Sequence, residues 1–354
     1  MKKHFLLTAA IVGASVISSA QYIARFEVQL PVATNGLDVP ASINLDDVTF
    51  QADSSFVLVE LANGKQVPVP FQISENEHRT LYWLISTKNN QQKKREFQLM
   101  AGNPQFFSIV IANKSDSAIT FQSENKNLMR FYYKTVYPPA GIDTAYKRSG
   151  FVHPLWTPHG QVLTRIQPPD HYHHYGIWNP WTHVLFEKDT VDFWNLKDRK
   201  GTVRFANFVD VVNGPVFSEF QAVLHHIVFK KDGSEKNALN ELQTYRVYKP
   251  EANADYFIVD FTSQLSCATQ SPFHILAYRY AGFGWRTTEF WDNNNCEVLT
   301  SEGKTRINTD GSKARWCIVQ GALPGNDEGG AVMLSYPGNY NHPEPLRIWD
   351  KNAN

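Results

Sequence analysis

The 354-residue chain carries 34 Lys+Arg against 34 Asp+Glu, a balance that offers no basic field to nucleic acid or anionic lipid. Its 9 Trp, 15 Tyr and 23 Phe favour β structure. After the leader, no apolar run approaches the ~20 residues of a membrane-spanning helix, so no membrane insertion is expected.

Lys2 and Lys3 precede an apolar run from Phe5 to Ile17, and Ser18-Ser19-Ala20 puts small residues where a signal peptidase cuts. Residues 1–20 are read as a signal peptide cleaved after Ala20, and the mature chain as periplasmic or extracellular. No cysteine follows the cut, which argues against a lipid anchor there.

Residues 21–125 read as a small N-terminal β-sandwich-like domain. Arg25–Leu30 and Phe56–Leu61 mix alternation with β-branched residues, and Asn35-Gly36 and Asn63-Gly64 are turn signals. A hairpin is expected between Val57–Leu61 and Val67–Val69. Nothing in this stretch clusters like a site.

Residues 126–354 are expected to form a large antiparallel β-sandwich. Thr202–Val212, Val216–Phe229, Leu239–Tyr248 and Tyr256–Leu265 follow one another across short turns, as in a meander. Along the last of these, Phe257, Val259 and Phe261 share an apolar face opposite Asp260 and Thr262. Leu346–Trp349 resembles the start of a strand that the chain does not complete, so a C-terminal truncation is expected. Cys267, Cys296 and Cys317 lack the spacing of a zinc or redox motif. They are expected to be buried thiols, with one disulfide as the alternative.

The chemistry concentrates in one segment. Six of the 12 histidines fall between His153 and His183: His153, His159, His171, His173, His174 and His183. Pro168-Pro169 before the densest part and Gly176 within it exclude a long helix. Extended backbone would put His171 and His173 on one face and His174 on the other, whereas a turn would let all three converge. Imidazole suits acid–base chemistry near neutral pH. A divalent metal is a second reading, with His171, His173, His174 and Asp170 as ligand candidates and Asp192 or Glu187 completing the set. The spacing matches no compact zinc motif. A hydrogen-bonded loop without chemistry is the third. Acid–base or sugar contact is preferred, because Trp178, Trp181 and Trp194 lie close by in sequence.

Further along, Arg279 and Arg286 flank Gly282-Phe283-Gly284, a loop able to bring a guanidinium to an anionic or hydroxyl-rich ligand. Glu302, within Ser301–Arg306, is a candidate base or else an exposed turn residue. No Gly-x-Ser-x-Gly elbow appears, which disfavours a serine hydrolase.

His153-Pro154-Leu155, Pro158-His159-Gly160, Asp170 through Trp178 and Asp192-Phe193-Trp194 resemble the signature of bacterial proteins labelled PmoA-like or "methane oxygenase", a domain family of unknown function. Tyr280 through Arg286, Thr300 through Lys304 and Arg315-Trp316 are similar to its later blocks, so the resemblance covers roughly residues 125 to 350. The label does not transfer as an activity. The methane monooxygenase subunit of that name is an integral membrane protein, and this chain has no span after its leader. The resemblance implies a large sandwich similar to the galactose-mutarotase-like supersandwich, found among genes for polysaccharide breakdown. In that wider group a histidine acid and a carboxylate base act on a sugar, which maps the acid to His171, His173 or His174 and the base to Glu302.

The expectation is therefore an exported protein with a carbohydrate ligand, an enzyme of hydrolase, lyase or epimerase type on plant or algal glycans. Its catalytic residues would be His171, His173, His174 and Glu302. Substrate contacts would come from His153, His159, Arg165, Trp178, Asp192, Trp194, Arg279 and Arg286, with Trp178 and Trp194 as stacking faces. A non-catalytic glycan binder and a metal-dependent oxidoreductase are the alternatives.

Overall fold

A computed structural model describes residues 21–31, 36–75, 77–88, 92–103 and 107–349. The expected signal peptide, residues 1–20, lies outside the described residues, as does Asn35 of the first expected turn. The chain divides into two units, Met1–Phe107 and Ser108–Asn354.

In the first unit the strands are β1 (Gln21–Gln29), β2 (Asp38–Asn44), β3 (Phe56–Ala62), β4 (Lys65–Pro68), β5 (Phe71–Glu75), β6 (Arg79–Ser86) and β7 (Lys94–Ala101). They pair antiparallel in two sheets, ordered β1-β7-β3-β4 and β2-β6-β5. Asn63 and Gly64 both take positive φ, 51° and 75°, the conformation that a two-residue hairpin turn requires. The expected hairpin forms there, as β3 and β4. Phe26, Leu58, Phe97 and Leu99 of the first sheet meet Leu81, Trp83 and Ile85 of the second in one core, a sandwich in miniature.

The second unit continues with β8 (Val110–Lys114), β9 (Ala118–Ser123), β10 (Lys126–Tyr132), β11 (Phe151–Leu155), β12 (Ile177–Trp178), β13 (Val184–Phe186), β14 (Asp189–Val191), β15 (Gly201–Val212), β16 (Phe217–Phe229), β17 (Glu235–Tyr248), β18 (Val259–Cys267), β19 (Phe273–Ile275), β20 (Gly284–Trp285), β21 (Cys296–Thr300), β22 (Trp316–Leu323) and β23 (Asp327–Leu334). The boundary falls before β8 rather than near 125. A cut at 125 would part β9 from β10, which are paired in the same sheet from Lys126–Ser123 to Tyr132–Ala118.

That sheet runs β20-β12-β11-β10-β9-β8 and faces the meander β15-β16-β17-β18. Ile119, Phe121, Met129, Phe131 and Val152 from one side meet Phe220, Ala222, Leu224, Tyr245 and Val247 from the other. Phe131 lies at the centre, 4.9 Å from Phe220 and 5.7 Å from Tyr245 between ring centroids. Each such buried ring stabilises by roughly 1.5–3 kcal/mol. On β18, Val259 and Phe261 pack inward and Asp260 and Thr262 outward, as the alternation predicts. Two three-stranded sheets, β14-β13-β19 and β21-β22-β23, complete the unit. The protein is thus mostly β and built on β-sandwich packing, and every strand pair among the described residues is antiparallel.

Leu346–Trp349 forms no strand. Its backbone meets Gly311 and Ser312 instead, and Leu346 and Ile348 pack on the apolar cluster beneath β21 and β22. All three cysteines are free, and Cys267 is exposed rather than buried because it ends the edge strand β18. The register sets Cys317 opposite Thr300 and Cys296 opposite Gly321, which keeps the two buried thiols apart. No helix among the described residues is long and apolar enough to cross a membrane.

Candidate functional site

The histidine segment is a turn. After Pro168-Pro169, the His171 amide donates to the Pro168 carbonyl at 2.9 Å, and that of His174 to the His171 carbonyl at 2.9 Å. Gly176 then leads into β12 with φ 55°, and a Cβ there would lie 2.0 Å from the Val152 carbonyl oxygen, so only glycine fits. The turn gathers the three rings that extended backbone would have separated. His171 stacks on His174 at 4.7 Å, with His173 at 4.6 Å from His174 and 5.5 Å from His171.

Charge organises the cluster. Asp170 Oδ2 accepts from His171 Nδ1 at 2.6 Å and from Arg286 Nη2 at 2.7 Å. Arg286, 5% exposed, also donates through Nη1 to His174 Nδ1 at 3.3 Å. Partial burial works to raise the Asp170 pKa, but the hydrogen bonds from His171 and Arg286 prevail and hold it at about 2. Burial, reinforced by His173 and Arg286, pushes His174 down to about 2. Burial, with the charges of His171 and Arg148, takes His173 to about 4. His173 and His174 are neutral imidazoles at physiological pH. The network assigns the His174 proton to Nε2, because Nδ1 accepts from Arg286. It likewise makes His171 Nδ1 the donor to ionised Asp170, leaving Nε2 open. With 40% of its side chain exposed, His171 is partly open to solvent.

Trp178 and Trp194 are not stacking faces for a ligand. At 2% and 8% exposure they form the floor, 4.8 Å apart, with His174 5.2 Å from Trp178. Trp178 lies on β12, and Trp194 on the turn whose backbone N–H groups Asp192 caps. β20 crosses this floor at Gly284, where a Cβ would lie 2.8 Å from Trp194 Cη2. Asp192 is occupied structurally, accepting from the backbone N–H of Trp194 and Asn195 and from Asn195 Nδ2 at 2.6–2.9 Å.

The other expected residues disperse. Arg165 lies beside Arg286, its N–H donating to the Arg286 carbonyl at 3.1 Å. His153 is held at Nδ1 by Thr164 Oγ1 at 2.9 Å, and burial, helped by Arg130, lowers its pKa to about 4. His159 sits elsewhere on the surface, between Asp255 and Asp327 at 3.6 and 3.5 Å. Arg279 is exposed, stacked over Tyr278 and Tyr280. Glu302 is exposed and bonded by its neighbour Ser301 at 3.0 Å; among the described residues no hydrogen bond or ion pair links it to the histidines. The carboxylate that reaches them is Asp170.

Arg148 escaped the sequence reading. It is buried, donates to the Phe193 carbonyl at 2.7 Å, lies over the Tyr175 ring, and burial lowers its pKa to about 10. No motif marks it, since its charge matters only through the fold. A second buried polar group sits in the sandwich core. His226 Nε2 meets Glu241 Oε2 at 2.9 Å, and Glu241 Oε1 accepts from Asn179, Ser263 and Gln243 at 2.6–2.9 Å.

The imidazoles do not fit a metal. Among the described residues no group of three or more His, Cys, Asp or Glu side chains could hold an ion. Arg286, bonded to both Asp170 and His174, already puts a fixed cation among the expected ligands. What the arrangement can do is move a proton at His171 Nε2 and hold a polar or anionic group near Arg286 and Arg165.

A family model described as a family of unknown function (DUF6807) matches residues 118–354, and the chain belongs to that family. Neither the curated proteins nor the solved structures gave a match.

Proposed function

We propose that this member of a family of unknown function is an exported carbohydrate-active enzyme acting on plant or algal glycans by proton transfer, the step that hydrolases, lyases and epimerases share. His171 serves as the general base or acid. Asp170 orients it in the way that a carboxylate orients the imidazole of a catalytic pair, and Arg286 holds Asp170 ionised. His173 and His174, neutral, contribute hydrogen bonds rather than charge. The observation that carries the reading is the 2.6 Å contact of Asp170 with an imidazole that is still open to solvent. The resemblance to PmoA-like proteins found with polysaccharide-degrading genes supports the substrate class, and the leader-like sequence supports export.

The test is a polysaccharide panel assayed for new reducing ends, unsaturated products and epimers, with wild-type protein and His171→Ala. Product from the wild type, lost in the variant at an unchanged melting temperature, is expected. Product formation untouched by His171→Ala would remove the catalytic role. A glycan binder without turnover is the second reading, favoured by the exposed Tyr278-Arg279-Tyr280 surface, which needs no titrating group. It predicts binding with no product from any glycan.

A further inference from the structure

A run of aromatic rings leaves the histidine turn through the buried floor and emerges at the surface of the second unit. It passes from His174 to Trp194 at 6.1 Å between centroids, to Tyr280 at 5.2 Å, to Tyr278 at 5.0 Å and to His183 at 3.9 Å. The near end lies under the site; the far end opens outward, with Tyr278 39% exposed and Tyr280 and His183 half-buried. Only its outer part is open to a ligand, and the three rings from Tyr280 through Tyr278 to His183, with centroid steps of 5.0 and 3.9 Å, are more than one sugar ring covers. Its loop is pinned at both ends, because the Leu276 N–H donates to the His183 carbonyl at 3.0 Å and the Gly282 N–H to the Pro180 carbonyl at 2.8 Å. The rings are therefore held in place before any ligand arrives, which lowers the entropy cost of binding.

Charge narrows the ligand. Arg279 stands exposed over Tyr278 and Tyr280, 5.6 Å from each centroid, and 6.0 Å from that of Trp349. Among the described residues no carboxylate pairs with it, and the Arg165 guanidinium beside Arg286 has no side-chain partner either. Of the arginines at the turn and strip, Arg286 is paired with Asp170 and Arg148 is buried on the Phe193 carbonyl, which leaves Arg165 and Arg279 for a ligand. Both oxygens of Asp192 are already taken by the Trp194–Asn195 turn. Neutral sugars need aromatic faces but leave two guanidinium groups uncompensated, whereas a carboxylate or sulfate fits the planar fork of arginine.

We propose that the Tyr280–Tyr278–His183 strip is a subsite for an acidic glycan chain, its sugar faces on the tyrosines and a carboxylate or sulfate substituent on Arg279. This rests on the carbohydrate reading of the histidine turn and extends it from one sugar to a chain.

The test uses the full chain in a His171→Ala background, so that no probe is consumed. Calorimetry compares polygalacturonate and alginate with their methyl-esterified forms, and chondroitin sulfate with its desulfated form. At least one acidic polymer should bind tenfold or more tightly than its neutralised partner, with the preferred pair telling carboxylate from sulfate. Arg279→Ala should erase that preference, Arg279→Lys should restore part of it, and Tyr278→Ala should weaken both forms severalfold. Equal affinity for charged and neutralised polymers, binding indifferent to Arg279→Ala, no binding of any acidic polymer, or tighter binding of a single-stranded oligonucleotide would each overturn the subsite. If wild-type protein turns over a glycan that binds equally well when neutralised, the catalytic reading stands and the acidic subsite falls. If an acidic polymer binds through Arg279 and no glycan yields product, the reverse holds.

Discussion

In the proposed chemistry Asp170 is the pivot, since one of its oxygens serves both His171 and Arg286. Replacing it by Asn keeps the shape but removes the charge that fixes the His171 proton on Nδ1. Asp170→Asn should lower kcat with little change in KM, while His171→Ala should cost on the order of 10²–10⁴ in rate. Steady-state kinetics on any substrate from the panel check this, and an Asp170→Asn enzyme of wild-type rate would leave the carboxylate without a role. The histidine density was legible in the sequence. Whether His174 joined His171 and His173 was not, because that depended on two backbone hydrogen bonds closing a turn. The local mix of charges in Ser301–Arg306 and the likeness to other sugar enzymes both pointed to Glu302, but short charged runs of this kind are as often exposed turns, and among the described residues no hydrogen bond or ion pair joins it to the cluster. Exposure was equally hidden: tryptophans 178 and 194 read as platforms in the sequence, and the open rings are Tyr278 and Tyr280.

At the scale of elements, β16 and β17 bury the His226–Glu241 pair at the heart of the sandwich, both side chains fully excluded from solvent. Burial raises the Glu241 pKa, and the hydrogen bonds from His226, Gln243 and Ser263 outweigh it, so the carboxyl is held below its usual range. Glu241→Leu would strand those donors and Asn179 in an apolar core, and should destabilise the second unit by about 3–5 kcal/mol. The double variant Glu241→Leu/His226→Leu should recover part of that loss in chemical denaturation; if both variants unfold alike, the pair is not coupled. β20 offers a smaller and more local case. Gly284→Ala presses a methyl group onto Trp194 and should cost about 1–3 kcal/mol while shifting the floor under His174, readable as a change in tryptophan fluorescence. The meander was legible because its strands run to nine residues or more, long enough for alternation and turn signals to agree. β12, β13, β14, β19 and β20 have two or three residues each and carry no period, yet they deliver His174, His183 and Arg286 to the site.

The whole molecule should respond to acid unevenly, and the sign follows from which state binds protons. Folding depresses His153 and His173 from 6.5 to about 4 and His174 to about 2, burial being the leading cause in each. Below pH 6.5 the unfolded chain takes up protons that the folded chain refuses, so stability is fully present above 6.5 and is lost as pH falls. The losses from His153 and His173 end near pH 4, while that from His174 continues toward 2. Asp170 adds a second, lower window. Its carboxyl is depressed from 3.8 to about 2, so the stability from its pairing is present above 3.8 and is lost between those values. All four groups belong to the second unit, whereas the described histidine of the first unit, His78, is exposed. Hydrogen exchange read peptide by peptide should therefore show the second unit losing protection first as pH drops from 7 to 4.5. His153→Gln retains an amide able to meet Thr164 and carries no titrating proton, so it should flatten that fall by roughly 3 kcal/mol across the upper window. Added salt should change little, because burial rather than surface charge sets the shift. Equal acid sensitivity in the two units, or a His153→Gln profile parallel to that of the wild type, would show that surface carboxylates rather than buried imidazoles govern acid unfolding.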